Sequence, residues 1–223
     1  MLICIDAGHG KHTAGKRCMK SIDPGETREW VLNARIADKL QAILESFDCK
    51  TMRADDVTGE RDVPLSERVK AANRAGAEAY LSIHHNAGIR GGAGGGAVVF
   101  TAPVCQNRSK VLQEAVYRHL IRQTGLAGNR AQPMCSKNLY VLRHTLMPAV
   151  LCECGFMDSS HDTPVILTER FATRAAYALA EALIEVYGLE RRKQQEKTED
   201  RAYRTWLSFM ERYQREKGGK EWS

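Results

Sequence analysis

The 223 residues carry 43% hydrophobic and 27% charged side chains and a formal net charge of +6, a balance that suits a chain folding around a sizeable core and hiding roughly 70% of its surface. No run approaches the ~18 consecutive apolar residues of a membrane span, so no integral membrane contact is expected. The positive charge is modest and mixed along the chain; it suits an anionic surface such as a cell wall, but reads first as ordinary solvation and calls for no nucleic acid partner.

The first residues, Met1-Leu2-Ile3-Cys4-Ile5-Asp6, have neither a basic leader nor a long apolar stretch and run straight into a strand pattern. Synthesis without an export signal, and hence a cytoplasmic location at synthesis, is the expectation. Seven scattered cysteines with no CxxC pair read as reduced thiols, mostly small core residues.

Short β-rich runs alternate with longer stretches of helical period, which predicts a three-layer α/β fold: a mostly parallel twisted sheet flanked by helices. Strands are expected at 2–6, 50–53, 79–84, 97–101, 139–142 and 149–154, and helices at 29–47, 66–75, 108–124 and 168–187. In the first helix Leu32, Ile36, Leu40, Ile43 and Leu44 form an inward stripe, and one turn back lies Glu29. A carboxylate there sits at the positive end of the helix and faces the protein body, so it either caps the helix, as Glu26 could, or needs a partner.

Two loops stand out: polar 11–28, with Gly15, Pro24 and Gly25, and glycine-dominated 88–96. Such loops at strand ends let backbone approach a ligand closely, or are simply flexible. From Leu189 the chain turns into a charged run, followed by Tyr203, Trp206, Leu207, Met210 and Tyr213 on one helical face. This divides the chain into a main domain, 1–188, and a charged linker with an amphipathic helix, 189–223. The apolar face of that helix calls for burial against the main domain, in a homo-oligomer, or on a target surface.

Three strand ends carry chemistry. His9 follows the first strand within Asp6-Ala7-Gly8-His9-Gly10, at the carboxyl edge where open α/β sheets place ligands; alone it could be a turn residue. In Ser82-Ile83-His84-His85-Asn86 alternation sends the two imidazoles to opposite faces, making His84 the better ligand and His85 a packing or rim residue. Glu153 interrupts the apolar run Val150-Leu151-Cys152-Glu153-Cys154, and a carboxylate buried there needs a cation, a metal or a catalytic task. Two imidazoles and one carboxylate with an open fourth position make the ligand set of a catalytic zinc site, leaving a second carboxylate to handle protons.

At this point the chain resembles the zinc-dependent N-acetylmuramoyl-L-alanine amidases of type 3. The likeness covers roughly Leu2 to Tyr187 and runs in order through Ile5 to Gly10, Glu29, Arg68 with Ala72-Asn73, Ser82 to Asn86, Leu142-Arg143, Met147 to Leu151, and Glu153 before Gly155-Phe156. Ala7 stands where the family has proline, Lys11 where it has a second glycine, and the stretch from His9 to Glu29 is longer than usual. The resemblance implies that His9, Glu29 and His84 hold one Zn2+, that Glu153 is the general base and acid, and that residues 1–188 are a catalytic domain acting on bacterial peptidoglycan. The bond cut would be the amide between N-acetylmuramic acid and L-alanine, in a phage or prophage endolysin or a host autolysin, with the endolysin preferred. Two other readings stay open: a zinc carboxypeptidase-like peptidase gripping a terminal carboxylate through Arg143, and a non-enzymatic wall binder working through its basic tail.

Overall fold

The computed structural model describes residues 1–192 together with 205, 206 and 208. Six strands form one sheet in the order β2-β1-β3-β6-β4-β5: β1 (Leu2–Ala7), β2 (Lys50–Arg53), β3 (Ala79–Asn86), β4 (Ala97–Thr101), β5 (Met134–Ser136) and β6 (Ala149–Phe156). Neighbours β2, β1, β3 and β6 are parallel, while β4 pairs with β6 antiparallel and carries β5 parallel to itself. The sheet is therefore mostly parallel with two reversed strands at one edge.

Helices α1 (Glu29–Leu44), α3 (Asn107–Thr124) and α6 (Glu169–Tyr187) cover one face, and α2 (Leu65–Arg74) and α4 (Tyr140–His144) the other, with the short α5 (Thr163–Ile166) following β6. Alternation along the strands feeds two separate cores. Ile3, Ile5, Leu81, Ile83, Val150 and Cys152 pack against α1, α3 and α6, whereas Cys4, Tyr80, Val98 and Leu151 pack toward α2 and α4, the three-layer arrangement that the element pattern predicts. On the larger face His119 of α3 lies between two carboxylates of α6, 3.1 Å from Glu181 and 2.8 Å from Glu185.

The expectation of a strand at 139–142 is overturned: Tyr140–His144 is a short helix. The strand of that region is Met134–Ser136, a three-residue edge strand too short and too exposed to show a period. The 88–96 loop is tied down. Asp158 accepts hydrogen bonds from the Gly88 and Arg90 amides, each at 2.8 Å, and buried Asp162 accepts from Gly96 at 2.7 Å and Phe156 at 3.0 Å. Gly95 and Gly128 touch so closely that a Cβ on Gly128 would lie 1.9 Å from the Gly95 carbonyl oxygen.

Beyond α6 the chain folds back on the turn after α1: Leu189 is buried, and the Arg192 guanidinium donates to the Phe47 and Cys49 carbonyls at 2.8 and 2.9 Å. The Trp206 ring stacks on Tyr177 of α6 with centroids 4.4 Å apart, so at least this member of the sequence's apolar stripe meets the main domain. Tyr203, Leu207, Met210 and Tyr213 lie outside the described residues.

One buried ion pair organises the β1 end. Asp6 and Arg68 are each only 1% exposed. Arg68 donates to the Asp6 carboxylate at 2.5 Å, to the Ala7 carbonyl at 2.7 Å and to the His9 carbonyl at 3.0 Å, and Tyr80 and Ser82 each add a bond of 2.8 Å to Asp6. Removing one partner of such a pair strands the other charge without solvent. Arg68→Met is expected to cost about 3–5 kcal/mol of unfolding free energy by urea denaturation; a loss below about 1 kcal/mol would show the network to be dispensable. Gly128→Ala, which puts a methyl into the Gly95 backbone at a positive φ, is expected to lower the thermal midpoint by several degrees.

Candidate active site

The site lies where the carboxyl ends of β1, β3 and β6 meet the first turn of α1. His9 sits two residues past β1 with φ of 68°, a left-handed conformation that costs a non-glycine residue free energy and persists only when its surroundings enforce it. Two buried side chains do so. Arg68 holds the His9 carbonyl from one side, and the Asn33 amide donates to the Gly8 carbonyl at 3.0 Å from the other. Gly8 has its own reason to lack a side chain: a Cβ there would stand 2.0 Å from Cε1 of His84.

His84 and His85 diverge as strand alternation requires. His85 points toward α1, only 2% exposed, with its Nδ1 2.8 Å from Asn33 Oδ1. Burial pushes its pKa down to about 4, so it is a neutral packing residue at physiological pH. His84 points the other way and meets His9 edge to face, ring centroids 4.9 Å apart and planes perpendicular.

Glu29 opens α1 without capping it; Arg28 stands at the cap position and supplies no side-chain bond. The Glu29 carboxylate turns inward instead, only 1% exposed, with Oε1 3.0 Å from His84 Nδ1 and Oε2 3.3 Å from His9 Nε2. Burial works against its charge, yet the His84 hydrogen bond and the close His84 and His9 rings hold its pKa well below the usual carboxylate range. Glu26, the competing acid, pairs with Arg17 at 3.4 Å and takes no part.

Donor atoms of His9, Glu29 and His84 all lie within 4.8 Å of one another. Ligand atoms about 2.0–2.1 Å from a tetrahedral metal stand roughly 3.3 Å apart, close to the spacing between the carboxylate and both imidazoles. His9 Nε2 and Glu29 Oε2 are buried without a hydrogen-bond partner among the described residues. Buried polar atoms left unmatched and converging on one point fit a cation. Two nitrogens, one oxygen and a side open to solvent suit zinc with a fourth position free, whereas a closed structural site would draw on thiolates. The sulfurs of Cys152 and Cys154 point into the apolar core on the other face.

Glu153 pairs in register with His84 across the β3–β6 boundary, so both side chains rise from the same sheet face. Its Oε2 is buried and unpartnered, and no arginine or lysine forms an ion pair with it among the described residues. Burial pushes its pKa up to about 7, opposed by His84 and, more weakly, by the fields of Lys16 and Lys137. A carboxyl group poised there can both take and return a proton near neutral pH. Arg143, the candidate grip for a terminal carboxylate, is exposed and donates to Asn138 at 2.8 Å.

Sequence reasoning missed Asn33 as a site residue. Its signal was available: a polar side chain four residues after Glu29, on the inward stripe of an otherwise apolar helix face. Asp6 was also legible, as a charge ending an apolar strand. Lys16, whose ammonium lies 3.8 Å from Glu29 Oε2, left no such mark, because nothing local distinguishes it from the other cations of its loop.

Residues 3–185 match the protein family described as N-acetylmuramoyl-L-alanine amidase. The sporulation-specific N-acetylmuramoyl-L-alanine amidase of Bacillus subtilis (strain 168) is 30% identical over 193 residues, spanning 85% of this chain and 69% of that protein. The endolysin of Bacillus phage SPP1 is 30% identical over 198 residues, 86% of this chain and 68% of its own length. Among solved structures, the N-acetylmuramoyl-L-alanine amidase from Clostridium difficile 630 matches with a TM-score of 0.75 at 26% identity, covering 84% of this chain and 96% of that one. With a family match running from β1 to the end of α6, this chain belongs to the N-acetylmuramoyl-L-alanine amidase family.

Proposed function

We propose that this protein hydrolyses the amide between N-acetylmuramic acid and the L-alanine of peptidoglycan stems, with His9, Glu29 and His84 holding one zinc ion and Glu153 moving the protons. The observation that carries the reading is the convergence of two imidazoles and a buried carboxylate at one sheet edge, with a second carboxyl group, Glu153, beside them and without an ion pair among the described residues. Bound there, zinc would acidify a water molecule and polarise the amide carbonyl.

The protein's own groups do the rest. Glu153, as carboxylate, takes a proton from the attacking water as its oxygen bonds to the carbonyl carbon. The same Oε atom then delivers that proton to the amide nitrogen as the carbon–nitrogen bond breaks, releasing the lactyl carboxylate and a free alanine amine. Asn33 and Arg68 hold the Gly8 and His9 carbonyls and so keep the His9 imidazole aimed. The exposed Arg143 gives no buried cationic grip for a terminal carboxylate, which favours the amidase over a carboxypeptidase. The relatives at 30% identity include a sporulation amidase and a phage endolysin; of these settings we favour the endolysin, made in the cytoplasm and reaching the wall when the membrane is breached. Lysis on expression only after the membrane is permeabilised fits that setting, and lysis without it does not.

Chelation should abolish release of stem peptides from purified peptidoglycan, and stoichiometric zinc should restore it. Glu153→Gln is expected to retain zinc but lose activity by about two to four powers of ten; an active variant would remove Glu153 from the chemistry. Mass spectrometry of the digest should give glycan free of peptide with stems intact, and trimmed stems would point to a peptidase. Gly8→Ala, which drives a methyl into the His84 ring, is expected to weaken zinc binding about 10- to 100-fold while the fold persists, measured by competition with a chromogenic chelator.

A further inference from the structure

We propose that Lys16 is a further catalytic residue of this reaction, its ammonium placed to meet the negative charge that grows on the carbonyl oxygen of the scissile amide. The proposal rests on the metal-site reading above. Lys16 stands in the stretch between His9 and Glu29 that is longer than the family pattern, and of the ion pairs made by lysines and arginines of this loop, its alone reaches a site residue. Lys11 is committed to Glu60 at 2.7 Å and Arg17 to Glu26 at 3.4 Å, whereas the Lys16 ammonium lies 3.8 Å from Glu29 Oε2.

The backbone under Lys16 is anchored. Its carbonyl accepts the Glu29 amide at 3.0 Å, Arg17 and Arg28 form an antiparallel bridge, Cys18 donates to the Thr27 carbonyl at 2.8 Å, and Met19 donates to the Met157 carbonyl at 3.0 Å. The side chain therefore projects from a segment hydrogen-bonded to the first residue of α1 and stitched to the residue after β6. Since Lys16 is 46% exposed while Glu29 is 1% exposed, the ammonium approaches the carboxylate from the solvent side, the side from which a substrate must enter.

Charge accounting gives this position its role. Without a metal, Lys16 helps to balance the buried Glu29 carboxylate. A divalent cation held by Glu29 and the two imidazoles would offset that negative charge and leave Lys16 on the solvent side of the carboxylate, the side from which the amide enters. An ammonium at that place stabilises an oxygen that turns negative as the carbonyl carbon becomes tetrahedral, and it helps the transition state more than the neutral ground state. No proton leaves Nζ, and the hydrolytic balance is unchanged.

The test uses the full chain as Lys16→Met and Lys16→Arg, with zinc affinity measured by chelator competition and steady-state kinetics on purified peptidoglycan. A pair with one nearly half-exposed member contributes little to stability, and equal thermal midpoints with and without substitution check this. Lys16→Met is expected to bind zinc about threefold more tightly at low salt, the gain vanishing near 0.5 M salt as screening sets in. Its kcat should fall about 10- to 100-fold with KM changed less than about threefold, and Lys16→Arg should recover most of the kcat. A kcat within twofold of the parent, or a loss confined to KM, overturns the proposal, and so does zinc binding that weakens in Lys16→Met. Failure of the underlying site reading has a different signature: a parent enzyme without zinc, or an active Glu153→Gln variant.

Discussion

The carboxylate of Glu29, buried in the first turn of α1 and reaching two imidazoles from different strand ends, is the interaction on which the rest of the site depends. A charge this deeply removed from water is tolerable only if opposite partial charge surrounds it. The positive end of the α1 macrodipole supplies some, and His9 and His84 supply more. The unmatched Oε2 and Nε2 atoms fix the point at which a cation would complete the balance. Because the carboxylate is carried by a helix packed on the sheet and the imidazoles by strand ends within it, the three groups cannot drift independently.

A second layer of buried polarity makes that convergence rigid. The Asp6–Arg68 pair with Tyr80 and Ser82, on one side of the β1 end, and Asn33 with His85, on the other, grip the Ala7, Gly8 and His9 carbonyls between them. Such networks stabilise little beyond what apolar packing would give, but they permit one arrangement and penalise others, which is what a left-handed His9 requires. The glycine contacts answer the same need. Gly8 leaves space for the His84 ring, and the 88–96 loop is held by Asp158 and Asp162 where sequence composition alone would allow it to move.

Two glutamates beside the same imidazole, one in contact with it and one paired with it in register, are driven in opposite directions by their surroundings. Glu29 reaches both rings and stays charged, whereas Glu153, with one oxygen buried and unpartnered among the described residues, has its pKa pushed up to about 7. Separation of this kind suits one carboxylate to binding and the other to proton transfer, as the proposed function requires, and it arises from position in the fold, since the two side chains are chemically identical. Burial favours the neutral form of Glu153, His84 opposes it most, and the fields of Lys16 and Lys137 add a weaker pull toward the ionised form.

Local periodicity was enough to establish the layer order, five of the six strands, four of the helices and the inward aim of Glu29, because each depends on whether a side chain at a three-, four- or two-residue spacing prefers water. The same reasoning separated His84 from His85, since a strand sends neighbours to opposite faces. It placed a strand at 139–142 where a short helix stands and passed over Met134–Ser136, because neither segment is long enough for a period to develop. Only the tertiary structure decided that β4 and β5 run against the other strands, that Asn33 and Arg68 meet at the His9 loop, that Glu153 has no ion pair among the described residues, and that Lys16 among several loop cations faces the Glu29 carboxylate. Those are contacts between residues far apart in the chain, and their energies depend on distance and burial, quantities that exist only once the chain has folded.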